Sequence, residues 1–158
     1  MKTKIFIFTL LAMLVFTATS LAAKPTITAD QQYFDVNTGL YVLNGNVYIE
    51  VKNRVITANQ AKVNMASLEV WGSGGITVNQ DDISFTADSV YVCGSQDRAT
   101  VQGNVAFSRT NLNVTADQVD YNWRDKTAVF SGNVQVRQND NSFSTENIKY
   151  NILTNTFF

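Results

Sequence analysis

Histidine is missing altogether from the 158 residues, while cysteine occurs once, at Cys93, and proline once, at Pro25. Without histidine the chain lacks the commonest general base and metal ligand near neutral pH. Serine and threonine are plentiful, but with no histidine or buried lysine beside them they read as strand and turn residues rather than nucleophiles. A single cysteine excludes an intramolecular disulfide, so stability rests on strand pairing and burial. Cys93 stands next to Gly94 in a turn-like stretch and reads as incidental rather than reactive. No phosphate-cradling loop and no metal-ligand spacing occurs. The expectation is a protein that is not an enzyme and carries neither cofactor nor metal.

Charge is sparse as well, with 12 Lys and Arg against 13 Asp and Glu. There is no basic run and no cluster of arginine with aromatics, which argues against nucleic acid as a partner. Only one long apolar run is present, Ile5 to Phe16, behind Lys2 and Lys4 and ahead of the small-residue exit Thr17 to Ala23. A basic start, a run short of the ~20 residues a spanning helix needs and a small-residue exit describe a secretory signal peptide over residues 1–23, cleaved at Ala22 or Ala23. No cysteine follows the exit, so lipoprotein processing is not expected. Residues 24–158 then form one domain by size. No later segment could span a membrane as a helix, and a chain with a cleaved signal is exported.

What the chain does have is a period. Gly45, Gly74, Gly103 and Gly132 follow one another at 29 residues, within NGNV, SGGI, QGNV and SGNV. A second landmark keeps the same frame: TADQ at 28–31, TANQ at 57–60, TADS at 86–89, TADQ at 115–118 and STEN at 144–147. Four 29-residue repeats without an insertion mark a repeat architecture.

Inside each unit apolar residues alternate. Tyr41, Leu43, Gly45, Val47, Ile49 and Val51 share one parity, and Asn44, Asn46, Tyr48, Glu50 and Lys52 take the other. That is a strand with one dry face and one wet face. In the other half of the unit the parity slips: Ile83, Phe85 and Ala87 are followed by Val90 and Val92. Since side-chain direction has period two, the slip requires a bulge or corner. It falls on Asp30, Asn59, Asp88, Asp117 and Glu146, opposite the glycine, which tolerates a sharp bend or close approach. Polar turns such as Gln80-Asp81-Asp82 and Arg109-Thr110-Asn111 close one end of each unit, and DVNTG (35–39) and CGSQD (93–97) the other. The fold expected is all-β: bent antiparallel hairpins stacked into two sheets that face each other across a dry interior and join along the bends. About nine long strands at ~4.8 Å each give a length on the order of 40 Å. A right-handed parallel β-helix with one coil per unit is the alternative.

The I-x-A-D start, the G-L-Y-x-L-x-G-N-V segment and the following I-x-A-N resemble the OstA-like, or LptA, family of lipopolysaccharide transport. The residues concerned are Ile27, Ala29, Asp30, Gly39, Leu40, Leu43, Gly45, Asn46, Val47, Ile56, Ala58 and Asn59. The resemblance implies an open-ended twisted β-jellyroll and a periplasmic, lipid-binding bridge that carries lipopolysaccharide or a related glycolipid from inner to outer membrane through an apolar groove. It also implies the sister transport proteins LptC and LptD, which share the module, as partners, and the open edge strands add head-to-tail self-association. The inward parity supplies the candidate groove lining: Leu43, Val47, Ile49, Ile56, Ile76, Val78, Phe85, Val92, Val101, Phe107, Val114, Tyr121, Phe130, Val134, Phe143 and Tyr150. Two departures stand out, SGGI in place of GNV and Arg54 where the other units hold Ile83 and Leu112.

Bland readings compete at each point. Facing sheets need a core whether or not a groove opens, so the dry parity alone leaves groove and closed core open. Small inward residues such as Gly72 and Ala87 tilt the balance towards a groove by leaving space in the middle. The repeated acids are expected to accept backbone N–H groups at their corners rather than act as catalytic carboxylates. Residues Lys149 to Phe158 resemble the opening of a further unit and are expected to form an edge that pairs with Thr26 to Phe34 of another molecule. A secreted structural or adhesive β-solenoid that binds carbohydrate or protein is the rival function.

Overall fold

The computed structural model describes residues 26–51 and 53–158; the expected signal peptide with its cleavage site lies outside them, as do Pro25 and Lys52. Among the described residues run eleven strands: β1 (Thr26–Thr28), β2 (Gln31–Asp35), β3 (Leu40–Val51), β4 (Arg54–Asn64), β5 (Glu69–Gln80), β6 (Ile83–Cys93), β7 (Arg98–Arg109), β8 (Leu112–Asn122), β9 (Thr127–Gln138), β10 (Asn141–Asn151) and β11 (Thr156–Phe157). They form one open sheet in near-sequential order, with β1 and β2 both paired to β3. The first long strand is thus split in two at its corner.

Every pairing is antiparallel. This excludes the parallel β-helix, in which each residue would pair with its equivalent one unit away. Val78, for example, pairs instead with Ile56 and Phe85 inside adjoining hairpins.

Each long pairing breaks register once near its middle, as between Asn44/Val47 on β3 and Gln102/Val105 on β7. On the glycine strand two successive residues take positive φ there: Gly45 (73°) with Asn46 (46°), Gly103 (81°) with Asn104 (47°), Gly132 (75°) with Asn133 (48°). The glycine is required twice over. Its backbone conformation disfavours a side chain, and a Cβ on Gly103 would lie 2.3 Å from Oδ2 of Asp88.

These bulges fold the sheet over. In a flat sheet three strand spacings, ~14 Å, would separate β7 from β10. The rings of Phe107 on β7 and Tyr150 on β10 are nevertheless 5.7 Å apart. Phe107 belongs to the half of the sheet next to the short turns, Tyr150 to the half next to the longer ones, so the two halves face each other across an apolar interior.

The longer turns repeat as faithfully as the bulges. Each closes on a residue of positive φ, at Gly39 (71°), Leu68 (59°), Asp97 (53°), Lys126 (57°) and Asn155 (57°). Asn64, Asn122 and Asn151 open three of them by accepting two backbone N–H groups apiece on Oδ1. Cys93 has no such acceptor, and its turn becomes a short 3-10 segment, Gly94–Gln96. Successive turns are tied together, with Gly94 N–H donating to Leu68 O at 2.8 Å, Trp123 to Asp97 O at 3.1 Å and Ile152 to Lys126 O at 2.9 Å.

Candidate functional site

Strand register sorts the inward residues into rows. One row of the short-turn half runs Ile27, Ile49, Ile56, Val78, Phe85, Phe107, Val114, Val136 and Phe143. Its counterpart in the long-turn half runs Tyr41, Val63, Val70, Val92, Ala99, Tyr121, Ala128 and Tyr150. All sixteen residues expected to line a groove fall on inward rows. They do not share one environment.

Leu43, Val47, Ile49, Ile76, Val101, Phe107, Val114, Phe130, Val134 and Tyr150 are buried. Ile56, Val78, Phe85, Val92 and Tyr121 are only half-buried. Phe143, on the outermost long strand, is 46% exposed. Most of the buried apolar residues fall into two clusters, with Val42, Ile76 and Cys93 outside both. One gathers Leu43, Val47, Ile49, Ala61 and Val63 of β3 and β4. The other runs from Ala87 to Tyr150, with Phe107 edge-on to both Phe130 and Tyr150. Val78 and Val92 belong to neither cluster. The interior is therefore closed by packing in β7–β10 and looser around β5 and β6.

Glycine does not create that looseness. The space beside Gly72 is already filled, since a Cβ there would meet Val90 at 2.9 Å and Ile76 at 3.1 Å. The expectation that small inward residues hollow out the middle fails at this position. The repeated acids also differ from expectation. Asp30, Asp88 and Asp117 accept from side-chain amides, Asn46 Nδ2 at 3.0 Å, Asn104 Nδ2 at 2.8 Å and Asn133 Nδ2 at 2.7 Å, in place of the backbone N–H groups anticipated. They are structural clasps at the fold-over.

Among the described residues two cations interrupt the apolar rows at the short-turn rim, and only Arg54 departs from the repeat in the sequence. Arg54 and Arg109 both have inward parity. The Arg109 Nη1 group crosses to the facing half, donating to Tyr150 Oη at 3.1 Å and Ile152 O at 3.1 Å, while its Nε pairs with Asp82 at 3.2 Å. Arg54 Nε donates to Gln80 Oε1 at 2.6 Å. Burial lowers the Arg54 pKa from the usual guanidinium value, with nearby Tyr121 and Asp81 pulling the other way. Burial raises Tyr121, and Arg54 opposes that shift. Tyr121 lies four strands from Arg54, roughly 20 Å in a flat sheet, and stands one unit before Tyr150 as Gln80 stands one unit before Arg109.

Both edges of the described sheet expose inward-row aromatics. Phe34 on β2 is 45% exposed and stacks on Tyr41 at 4.8 Å. The last edge is in two pieces rather than the single Lys149–Phe158 edge expected. β11 covers β10 only at Tyr150 and Asn151, and no described strand covers the outer side of Asn141 to Thr145.

No helix among the described residues is long and apolar enough to cross a membrane. Residues 26–156 match the family described as LptA/(LptD N-terminal domain) LPS transport protein. Among solved structures, the chain matches LptH of Pseudomonas aeruginosa, the LptA-homologous periplasmic component of the conserved lipopolysaccharide transport device. The TM-score is 0.54 at 14% identity, over 62% of this chain and 75% of that one. No curated protein matches by sequence.

Proposed function

The chain belongs to the LptA/LptD N-terminal domain family of lipopolysaccharide transport proteins, and from that premise we propose that it is a periplasmic carrier whose interior takes the acyl chains of lipopolysaccharide or a related glycolipid. The observation that carries this reading is the division of the core into two packed clusters with half-buried Val78 and Val92 outside both. Apolar side chains left partly wet gain from covering by methylenes, each worth ~0.8 kcal/mol when buried. Chains would enter beside Ile56, Val78, Phe85 and Val92, where no aromatic interlock has to open. Entry beside Phe107 would require displacing Phe130 and Tyr150. The exposed edges, with Phe34 at one and Phe143 at the other, suit strand addition by like-folded neighbours. We assign them to docking with sister transport proteins such as LptC and LptD and to head-to-tail contact between copies, which would keep the interior continuous from one molecule to the next.

Photo-crosslinking in cells tests the carriage. Crosslinkers at Ile56, Val78 and Phe85 are expected to capture lipopolysaccharide, and those at Thr57, Thr77 and Thr86, on the outer parity of the same strands, are not. Equal capture from both faces would overturn the reading.

A further inference from the structure

Arg54 stands at an inward position that other units fill with Ile83 and Leu112. Placing a guanidinium at the margin of an apolar interior is unfavourable unless a counter-charge meets it. Arg109, the other inward cation, has that counter-charge in Asp82. Arg54 forms no ion pair among the described residues, and its hydrogen bond goes to the neutral amide of Gln80. The nearby Asp81 carboxylate instead accepts from Asn53 Nδ2 at 2.6 Å. Gln80 and Tyr121 stand one 29-residue unit before Arg109 and Tyr150, whose side chains meet across the two halves, so the Tyr121 hydroxyl faces the stretch of rim where Gln80 holds Arg54. Among the described residues that hydroxyl forms no hydrogen bond, and donors from both halves of the sheet face one stretch of the rim. The half-buried apolar row of Ile56, Val78 and Phe85 begins two residues further in along the strand.

We propose that Arg54, with Tyr121 facing it, is an anion-binding site for the phosphate head of an amphiphile whose chains lie along the Ile56–Val78–Phe85 row. The inference rests on the carriage reading and adds to it which head group is recognised and where. Guanidinium suits the task because its planar fork binds a phosphate by two parallel hydrogen bonds. Gln80 holds Nε and so orients the fork. The site gives the cargo one orientation: head at the short-turn rim of β4, chains towards the bulges.

The test uses protein purified after expression of the full chain, with three probes: dioctanoyl phosphatidate, dioctanoylglycerol and inorganic phosphate. Wild type should bind the phosphatidate roughly tenfold or more tightly than the uncharged lipid, the difference a charged hydrogen bond supplies. Arg54→Leu should abolish that preference while leaving dioctanoylglycerol affinity unchanged, and Arg54→Lys should keep part of it. Arg54→Leu replaces a desolvated charge by the residue another unit carries, so its melting temperature should not fall. Tyr121→Phe, which removes one hydroxyl only, should weaken phosphatidate alone. Unchanged phosphatidate preference in both Arg54→Leu and Tyr121→Phe would overturn the anion site and leave carriage standing. Failure of wild type to bind either lipid would overturn carriage and the site together. Inorganic phosphate binding as tightly as phosphatidate would overturn the lipid-head assignment.

Discussion

At the level of single residues, the unit is held at its bend by three partners: a glycine, the asparagine after it and an acid fifteen residues earlier. Three copies keep the whole set, Asp30/Gly45/Asn46, Asp88/Gly103/Asn104 and Asp117/Gly132/Asn133. In the remaining one both polar partners change together, to Asn59 and Gly75. Gly75 has φ +86°, and a Cβ there would meet nothing within 4 Å. Asparagine tolerates the left-handed region better than most residues, so Asn59→Asp with Gly75→Asn should rebuild the clasp. The pair should be coupled by about 1 kcal/mol beyond the sum of the single changes, read from urea denaturation of all four proteins. A coupling near zero would mean that the amide–carboxylate contact contributes nothing to the bend. The period, the parity slip and the acid–glycine opposition were all legible in the sequence, because each repeats in one frame. The asparagine was not: next to a glycine it reads as turn material, and its bond to an acid sixteen residues away exists only once the bend has formed.

At the level of strands, polar ladders on the outer face pin the register that the inner rows need. Asp120 on β8 is the clearest case. It accepts from Arg98 Nη2 at 2.6 Å and Thr100 Oγ1 at 2.7 Å on β7, and from its neighbour Gln118 at 2.9 Å. Burial alone would raise its pKa, but the hydrogen bonds from Thr100, Arg98 and Gln118 outweigh it and leave the carboxyl below the usual value. A depressed acid contributes stability above its unfolded pKa of about 3.9 and loses it as pH falls through the folded value. Asp120→Asn should therefore be less stable than wild type at pH 6, and the gap should close as the pH drops below about 4. A gap independent of pH would assign the effect to packing instead. Period two foretold such faces, but the rim contact of Arg109 with Tyr150 and Ile152 was beyond it. That meeting exists only once the sheet has folded over, a property of the stack and not of any one strand.

For the whole molecule, the two edges present different problems. A flat uncovered strand recruits others, and an inward-pointing charge is the usual defence. Phe143→Lys puts such a charge on the uncovered stretch of β10, where the ring is already 46% exposed. It should fold normally yet show weaker concentration-dependent association by light scattering than wild type. Association equal to wild type would place the contact elsewhere.

The ties between successive long turns reach further than the cohesion of one chain. Three successive turns offer a carbonyl to the N–H of the turn one unit on, at Leu68, Asp97 and Lys126 in the same manner. These ties reach only the next unit, and the contacts across the fold-over, such as Phe107 with Tyr150, run at a fixed offset of three strands, so a sequence of this kind can gain or lose whole units without needing a new kind of contact. Span becomes adjustable in increments, each adding two strands and so about 10 Å. Inserting a second copy of residues 98–126 after Lys126 should yield a folded, longer particle with an unfolding midpoint at least equal to wild type, and small-angle scattering would record the added length. A gap to be crossed by such a molecule could be matched by counting units, with no redesign of the interior.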